Sequence, residues 1–343
     1  MIRRRELIVA GSWGAAALIF PSWARAQSGD PLAGVDPEFR AVAAAILRGQ
    51  AAQDAMARSA VVAHPPPIPE GVEEQRIPGA AAGPPVTIYV INAGSGAGAP
   101  RGAILYLHGG GFIGGDARDN LRALRSLAGR LDCVVVSVQY RLAPATRFPG
   151  ALEDNYAALK WLRTQASELG VDPARIAVMG GSAGGGHAAM LTIAARDRGE
   201  IPVAFQALVY PMLDDRTGSS RPAAPGVGKL IWRADDNRRG WAALLGQPAG
   251  ARRAPAGSVP SRTADLTRLP PTFIGVGSLD LFAEEDIEFA RRLVAAGVPT
   301  EMLLVPGVFH GFELIAPNAT VSRQFTAALE AALRRALSVD RPG

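Results

Sequence analysis

The chain has 343 residues, of which 48% are apolar and 20% charged, with a formal net charge of +5. This apolar fraction is enough for a full hydrophobic core. The basic residues are scattered and form no stripe with aromatic residues, so the charge does not indicate nucleic-acid binding. A single cysteine excludes an internal disulfide, and neither a Cys/His spacing nor an H-E-x-x-H motif indicates a metal site.

The first 26 residues have the pattern of an export signal. A basic head at residues 3–5 precedes an apolar stretch at 7–20, and Ala24-Arg25-Ala26 is a small-x-small cleavage site. The apolar stretch is too short for a comfortable membrane span. The arginine pair Arg4-Arg5 resembles a twin-arginine signal, with a plain secretory signal as the alternative. We therefore expect the rest of the chain, residues 27–343, to act in the periplasm or outside the cell, without a stable membrane span.

Removal of this segment lowers the positive charge of the protein. The segment holds four arginines and one glutamate, a net of +3, which leaves +2 of the original +5. We expect the remaining residues, 27–343, to form one large domain.

Apolar runs typical of buried strands alternate with helical patterns along most of the chain. The runs cover residues 86–91, 103–107, 133–138, 176–179, 205–210, 273–276 and 302–305. The clearest helical pattern has apolar residues at spacings of three and four: Leu152, Tyr156, Leu159, Leu162, Ala166 and Leu169. This alternation predicts an α/β fold with a mostly parallel central sheet, helices on both faces, and ligand sites at the carboxyl ends of the strands. Cys133, in the third run, is expected to be a small core residue.

Two segments do not follow the alternation, at about residues 30–62 and 215–255. The first contains Asp36-Pro37, a pair that suits the cap and first turn of a helix over about residues 38–58. The second contains two tryptophans within a Gly- and Pro-containing insertion. We expect both segments to cover the ligand site. For the second, the alternative is a surface loop anchored by a buried tryptophan.

A glycine-rich loop, His108-Gly-Gly-Gly-Phe112, follows the second apolar run. Glycines there would let the amides of Gly109 and Gly110 face a ligand and stabilise a developing oxyanion. The loop also satisfies the dinucleotide pattern G-x-G-x-x-G through Gly109, Gly111 and Gly114. That alternative requires an acidic residue at the far end of the next strand, where this chain has Gln139.

Ser182 lies in the motif Gly180-Gly-Ser-Ala-Gly-Gly185, between an apolar run and a helix-compatible segment at residues 183–198. A G-x-S-x-G turn between strand and helix needs its outer glycines because the backbone bends sharply and the two elements come close together. The motif predicts that Ser182 is a nucleophile and that the amide of Ala183 is a further oxyanion donor. The alternative is an ordinary turn in a chain with 39 glycines.

A serine nucleophile needs a base, and the chain has four histidines. His310 lies on a loop after the last apolar run, where it could reach over a serine. His64 lies in a Pro-rich linker, His108 is expected to brace the glycine loop, and His187 falls inside the helix after the serine. His310 is therefore the predicted base.

The base in turn needs a carboxylate to orient it, at the end of another strand. Asp280 follows the sixth apolar run and is the predicted residue. Asp214 and Asp215, after the fifth run, are alternatives. The next acidic residues are more typical of the first turn of a helix, where negative charge complements the helix dipole: Glu284, Glu285 and Asp286.

Together these motifs resemble the hormone-sensitive-lipase family of α/β-hydrolases, in its bacterial esterase branch. The resemblance spans about residues 80–335 and is carried by His108-Gly-Gly-Gly-Phe112, Tyr140-Arg-Leu-Ala-Pro144, Phe148-Pro-Gly-Ala-Leu-Glu-Asp154, Gly180-Gly-Ser-Ala-Gly-Gly185, Asp280-Leu-Phe282 and His310-Gly-Phe312. The order Ser182, Asp280, His310 is also that of this fold. Two positions depart from the common pattern: Gly181, where many relatives have Asp, and Ala145, where Glu is common.

The resemblance implies an α/β-hydrolase fold with a helical cap, in which the segments at about 30–62 and 215–255 pack together and form the acyl or alcohol pocket. It implies Ser182 as nucleophile, His310 as base, Asp280 as orienting acid, and Gly109, Gly110 and Ala183 as oxyanion donors. The expected activity is hydrolysis of short- to medium-chain carboxylic esters without a cofactor. Two alternatives stay open: an amide or carbamate hydrolase with the same triad, and a non-catalytic ligand-binding protein on this fold.

Overall fold

The computed structural model describes residues 30, 32–56, 65–80, 83–94 and 98–338. The predicted export segment, residues 1–26, and His64 lie outside these residues. Within the described ranges, no helix combines the length and the apolar character needed to cross a membrane.

The seven apolar runs and one further strand, β1, form an eight-stranded sheet in the order β1-β2-β4-β3-β5-β6-β7-β8. Its strands are β1 (Val72–Ile77), β2 (Val86–Ile91), β3 (Arg101–Leu107), β4 (Val134–Gln139), β5 (Val171–Gly181), β6 (Phe205–Val209), β7 (Thr272–Gly277) and β8 (Thr300–Val305). β1 and β2 join the sheet antiparallel, and every pair from β4 to β8 is parallel. The predicted mostly parallel sheet is confirmed.

The sheet is buried on both faces, which explains why its central strands are apolar throughout. Successive side chains of β3 alternate between two hydrophobic cores: Leu105 and Leu107 belong to one, Ile104 and Tyr106 to the other. Cys133, just before β4, is fully buried in the second core, as expected. A run with no polar face therefore marks a strand covered by helices on both sides.

The helices of the described chain are α1 (Arg40–Met56), α2 (Leu121–Leu131), α3 (Gly150–Thr164), α4 (Ala183–Arg198), α5 (Ala234–Leu245), α6 (Ala283–Ala295), α7 (Phe312–Ile315) and α8 (Thr320–Leu337). The apolar positions predicted for α3 and the turn after it are all buried in the first core, with residues of α4 and α6. Residues of α2 and α8 fill the second core. Helices on both faces are thus confirmed.

The edge strand β1 was not predicted from the sequence. Its residues Val-Glu-Glu-Gln-Arg-Ile are mostly polar, and the strand is largely exposed. It pairs with β2 alone, so only one side of it needs a partner. An edge strand that buries little apolar surface lacks the pattern by which strands are recognised.

The segment near residue 36 begins as predicted, because the Asp36 side chain accepts a hydrogen bond from the Glu38 amide at 2.8 Å and Pro37 occupies the first turn. A short helical turn, Pro37–Phe39, leads into α1. Phe39 is fully buried and packs edge-on against two rings of the loop after β8, Phe309 at 5.9 Å and Phe312 at 6.0 Å. This segment therefore supports the loop that carries the predicted base.

The insertion at 215–255 contains α5 and packs on the glycine loop after β3. Trp241 of α5 is fully buried, and its ring lies edge-on to Phe112 at 4.8 Å. A Cβ on Gly240 would lie 2.4 Å from the Gly111 carbonyl oxygen, so the helix and the loop touch through their backbones. The grouping of the segments at about 30–62 and 215–255 as a cap stays a prediction.

Candidate active site

Three of the predicted residues follow three different strands and meet at the carboxyl edge of the sheet. Ser182 follows β5, Asp280 follows β7 and His310 follows β8. The His310 Nε2 atom lies 2.9 Å from the Ser182 Oγ atom, and the His310 Nδ1 atom lies 2.8 Å from the Asp280 Oδ2 atom. In the tautomer that suits a base, Nδ1–H donates to the carboxylate and the serine hydroxyl donates to Nε2.

Ser182 sits in a strained backbone conformation, with φ 58° and ψ −125°. Its amide donates to the Val209 carbonyl at 2.9 Å, which ties the turn to β6. The outer glycines are required by close contact: a Cβ on Gly180 would lie 2.3 Å from Gly184, and one on Gly184 would lie 2.1 Å from the Leu107 carbonyl oxygen. The two backbones thus come as close as the sequence motif predicts.

The imidazole and the carboxylate beside it are shielded from water. Asp280 is fully buried and its Oδ1 atom accepts from the Phe282 amide at 3.0 Å, so both oxygens have partners. The His310 ring is 6% exposed and is flanked by the rings of Tyr210 at 4.6 Å and Phe282 at 5.3 Å. Burial of this kind strengthens each hydrogen bond of the relay.

The glycine loop brings the backbone of Gly109 beside the serine. A Cβ on Gly109 would lie 3.4 Å from the Ser182 Cβ, so this backbone is in contact with the hydroxyl-bearing residue. Gly110, at φ 124°, turns the loop in a conformation that favours glycine. Within the described part of the chain, the amides of Gly109, Gly110 and Ala183 donate to no protein acceptor. All three remain able to donate to a bound oxygen.

Comparisons with known proteins identify the fold and the family of the chain. A family model described as alpha/beta hydrolase fold matches residues 104–314. Carboxylesterase NlhH of Mycobacterium tuberculosis is 36% identical over 235 residues, which is 68% of this chain and 73% of NlhH. The solved structure of a bacterial heroin esterase is 35% identical, with a TM-score of 0.76, and covers 90% of this chain and 99% of its own. The chain belongs to the hormone-sensitive-lipase family of α/β-hydrolases.

Other relatives of this α/β-hydrolase are also named esterases. Esterase LipI of Mycobacterium tuberculosis is 38% identical over 210 residues, 61% of this chain, and the match spans 65% of LipI, just under two thirds of its length. The solved structure of esterase LipW from Mycobacterium marinum has a TM-score of 0.73 at 34% identity, and the match covers 90% of this chain and 97% of LipW. The predicted family and fold are confirmed.

The alternative carboxylates, Asp214 and Asp215, form ion pairs with arginines. Asp214 forms ion pairs with Arg216 at 2.7 Å and Arg221 at 3.3 Å, and Asp215 pairs with Arg262 at 2.7 Å. Both are buried and bonded within the loop after β6, so neither reaches the imidazole. Of the carboxylates considered, the structure joins Asp280 to His310.

The two alternative histidines within the described residues, His108 and His187, are buried in the protein. His187 is packed between the rings of Phe112 and Tyr140, and burial lowers its pKa to about 3. The His108 Nδ1 atom lies 2.8 Å from the Gly109 carbonyl oxygen, so this residue braces the glycine loop as expected. Burial also lowers the pKa of His108. Both rings are thus held neutral in the interior.

The described residues hold neither a cluster of metal ligands nor, at the end of β4, the carboxylate of a dinucleotide site. No group of three or more His, Cys, Asp or Glu side chains within those ranges could hold a metal ion. The end of β4, where a dinucleotide site needs a carboxylate, has Gln139, whose Oε1 atom accepts from the Ala117 amide at 2.8 Å. Gln139 thus contacts the protein itself.

Three residues near the relay were not singled out as site residues from the sequence: Tyr210, Trp232 and Glu313. The centroid of the Trp232 ring lies 6.5 Å from that of the His310 ring. A Cβ on Gly111 would lie 2.2 Å from the Cη2 atom of Trp232. Tyr210 could have been found, because it ends an apolar run at the same sheet edge. Glu313 has no such signal.

The acidic residues after Asp280 lie in the first turn of α6, as predicted. Glu284 is exposed, but Glu285 and Asp286 are buried. Glu285 accepts from the Leu213 and Asp214 amides at 2.6 and 3.1 Å, so it pins the loop after β6 rather than only complementing the helix dipole. Neither carboxyl oxygen of Asp286 has a hydrogen-bond partner in the described structure. Burial, with Glu285 and Asp280 nearby, raises the pKa of Asp286 well above its usual range.

Asp286→Asn should stabilise the protein increasingly as the pH rises. Above a pH of about 4 the unfolded chain releases this proton while the folded chain keeps it, so wild-type stability falls with pH. Asparagine has nearly the same shape and does not titrate. We expect the gain in the free energy of unfolding, measured by urea denaturation, to be larger at pH 8 than at pH 3.5 by at least about 1 kcal/mol. An equal gain at both pH values would contradict the buried-acid explanation.

Proposed function

We propose that this protein is a carboxylic ester hydrolase that acts through Ser182, His310 and Asp280. The enzyme class follows from its family, since its relatives include named carboxylesterases and esterases. The observation that carries the proposed mechanism is the continuous hydrogen-bonded relay, 2.9 Å from serine to histidine and 2.8 Å from histidine to aspartate. Such a relay raises the nucleophilicity of a serine hydroxyl, which is weak when isolated.

In the first step, the Ser182 oxygen attacks the ester carbonyl carbon while His310 Nε2 takes the hydroxyl proton. The carbonyl oxygen becomes negative and is stabilised by the amides of Gly109, Gly110 and Ala183. Collapse of this intermediate breaks the carbon–oxygen bond of the ester, and His310 returns the proton to the leaving alcohol. Asp280 stays charged and holds the imidazolium. The product is an acyl group on Ser182.

In the second step, water attacks the acyl carbon as His310 takes one of its protons. The same amides stabilise the second oxyanion, and the carboxylic acid leaves as Ser182 regains its proton. Water and the ester are the only reactants, so the proposed cycle uses no cofactor. We also propose that the enzyme acts after export, which rests on the pattern of residues 1–26 alone.

Trp232 supports a preference for short to medium acyl chains. Its ring lies against the backbone of Gly111 and faces the imidazole of His310, so it borders the space above the serine. The Trp232 amide donates to the Leu230 carbonyl at 2.8 Å across Ile231, whose φ is 65°. A β-branched residue in this region is strained, which is a feature of sites where side-chain placement matters.

Ser182→Ala should remove nearly all ester hydrolysis. The substitution deletes the nucleophile and leaves the oxyanion amides, so we expect kcat to fall at least about a thousandfold. A series of p-nitrophenyl esters and the matching p-nitroanilides on both proteins measures this. Hydrolysis that survives in the variant would overturn the assignment. Faster cleavage of anilides than esters by the wild type would favour an amidase, and binding without turnover would favour a ligand-binding protein.

Asp280→Asn should lower kcat by about three to four orders of magnitude, because the amide favours the wrong imidazole tautomer. Asp214→Asn is the control at the alternative carboxylate. It breaks ion pairs with two arginines, so it should reduce stability while kcat per folded molecule changes little. The measurement is kcat alongside thermal denaturation. If Asp214→Asn abolished turnover and Asp280→Asn did not, the orienting acid would be the other one.

Trp232→Ala should shift the preference toward longer acyl chains or bulkier alcohols. Removal of the ring enlarges the space beside the serine, so kcat/KM for a ten-carbon acyl ester relative to the acetate should rise by about tenfold or more. Trp161→Ala, on α3, is the control for loss of a tryptophan elsewhere. An unchanged ratio in Trp232→Ala, or an equal shift in Trp161→Ala, would show that Trp232 does not set chain length.

A further inference from the structure

Tyr210 combines a strained backbone with a close contact to the imidazole. It follows β6 and has φ 33°, an unfavourable conformation for a residue with a large side chain. Its amide donates to the Gly275 carbonyl at 2.7 Å, which holds the backbone in this conformation. Its ring, fully packed in the protein, lies 4.6 Å from the His310 ring at an interplanar angle of 59°. The strain therefore places this ring against the base.

The far end of the Tyr210 ring is held by a carboxyl group. The Tyr210 hydroxyl donates to the Glu313 Oε1 atom at 2.5 Å. Glu313 lies in α7, three residues after His310, so the same loop carries both the base and the group that holds its neighbour. The Glu313 Oε2 atom is buried and has no hydrogen-bond partner in the described structure. Among the described side chains, the one that donates to the Glu313 carboxyl is thus Tyr210.

The absence of a side chain at Gly181 leaves room for this arrangement. A Cβ at that position would point at Tyr210, 3.6 Å from its Cε2 atom and 3.9 Å from its hydroxyl oxygen. A longer side chain there would compete for the space that the tyrosine hydroxyl and Glu313 occupy. Glycine at position 181 is therefore compatible with the position of the Tyr210 ring.

We propose that Tyr210 and Glu313 are positioning residues for His310. The Glu313 carboxyl holds the Tyr210 hydroxyl, the hydroxyl fixes the ring, and the ring restricts the imidazole to the orientation that joins Ser182 to Asp280. Neither residue touches the reacting atoms. Loss of the hydrogen bond lets the ring and the imidazole move, which lowers the fraction of molecules in the reactive geometry. The inference rests on the proposed function, since it requires His310 to be the base.

Burial raises the pKa of the Glu313 carboxyl, and the charge of Asp280 adds to this effect. Glutamine in its place keeps an oxygen that can accept from the tyrosine hydroxyl and carries no charge. Glu313→Gln is therefore the conservative variant, Glu313→Ala removes the acceptor, and Tyr210→Phe removes the donor while it keeps the ring. Together they separate the hydrogen bond from both charge and packing.

The experiment measures kcat and KM for a short-chain p-nitrophenyl ester with these variants and the double variant Tyr210→Phe/Glu313→Ala. Tyr210→Phe and Glu313→Ala should each lower kcat by about three- to tenfold, the worth of one hydrogen bond, with KM nearly unchanged. Glu313→Gln should restore kcat to within about twofold of wild type. The double variant should be no slower than either single one, because both remove the same interaction.

Three results would overturn the proposal: wild-type kcat in Tyr210→Phe, a kcat in Glu313→Gln as low as in Glu313→Ala, or losses that multiply in the double variant. If Glu313→Ala fails to fold by thermal denaturation, Tyr210→Phe and Glu313→Gln still decide between the outcomes. The matched control is Tyr156→Phe. It removes the 3.1 Å hydrogen bond that Tyr156, on α3, donates to Glu200, and it should leave kcat unchanged.

Labelling of Ser182 by a fluorophosphonate separates this proposal from the proposed function. If Ser182 of the wild type is not labelled, the proposed function fails and the positioning role fails with it. If the wild type is labelled and Tyr210→Phe is labelled at the same rate, the function stands and the positioning role alone is wrong. A wild type that is labelled faster than Tyr210→Phe, by the same factor as in kcat, supports both.

Discussion

The close approach of two backbones at Ser182 is the constraint on which the rest of the site depends. Gly184, in the first turn of α4, packs against the end of β3 with no room for a side chain, and Gly180 packs against Gly184 in the same way. This contact forces the serine into its strained conformation and brings the glycine loop beside it. The strain is balanced by hydrogen bonds to the neighbouring strand and by a core on each face of the sheet. A loose turn would leave the hydroxyl and the oxyanion amides unaligned.

The same interior treats two nearby carboxyl groups in opposite ways. Asp280 has a partner for each oxygen, a backbone amide and the imidazole. Asp286, in the first turn of α6, has no hydrogen-bond partner for either oxygen in the described structure, and burial raises its pKa well above the usual range. Hydrogen bonding rather than depth of burial therefore decides which carboxyl can stabilise an imidazolium. The partners also differ between Asp280 and the two alternative residues. Asp214 and Asp215 form ion pairs with arginines, whereas Asp280 bonds to the imidazole.

Much of the fold and of the site could be predicted because both depend on local patterns. A buried parallel strand is apolar along its buried length, and a sharp strand-to-helix turn needs its glycines, so the buried parts of β3 to β7 and Ser182 are visible in the sequence. Position at a strand end then narrows the choice of base and acid. β1 was missed because an exposed edge strand needs no apolar pattern. The burial of Asp286 and the role of Glu313 could not be predicted, because both depend on contacts between residues far apart in the chain.

The two segments that do not follow the alternation, at about residues 30–62 and 215–255, pack on the glycine loop and on the loop after β8. Phe39 packs on the loop after β8, beside the base, and Trp241 packs on the glycine loop through Phe112. Trp232 touches the glycine loop at Gly111 and faces His310. The sheet therefore sets where the proposed reacting groups lie, whereas these segments pack against the two loops that carry them. Substrate preference can then change through the segments while the relay stays intact, because the relay is anchored to the ends of β5, β7 and β8.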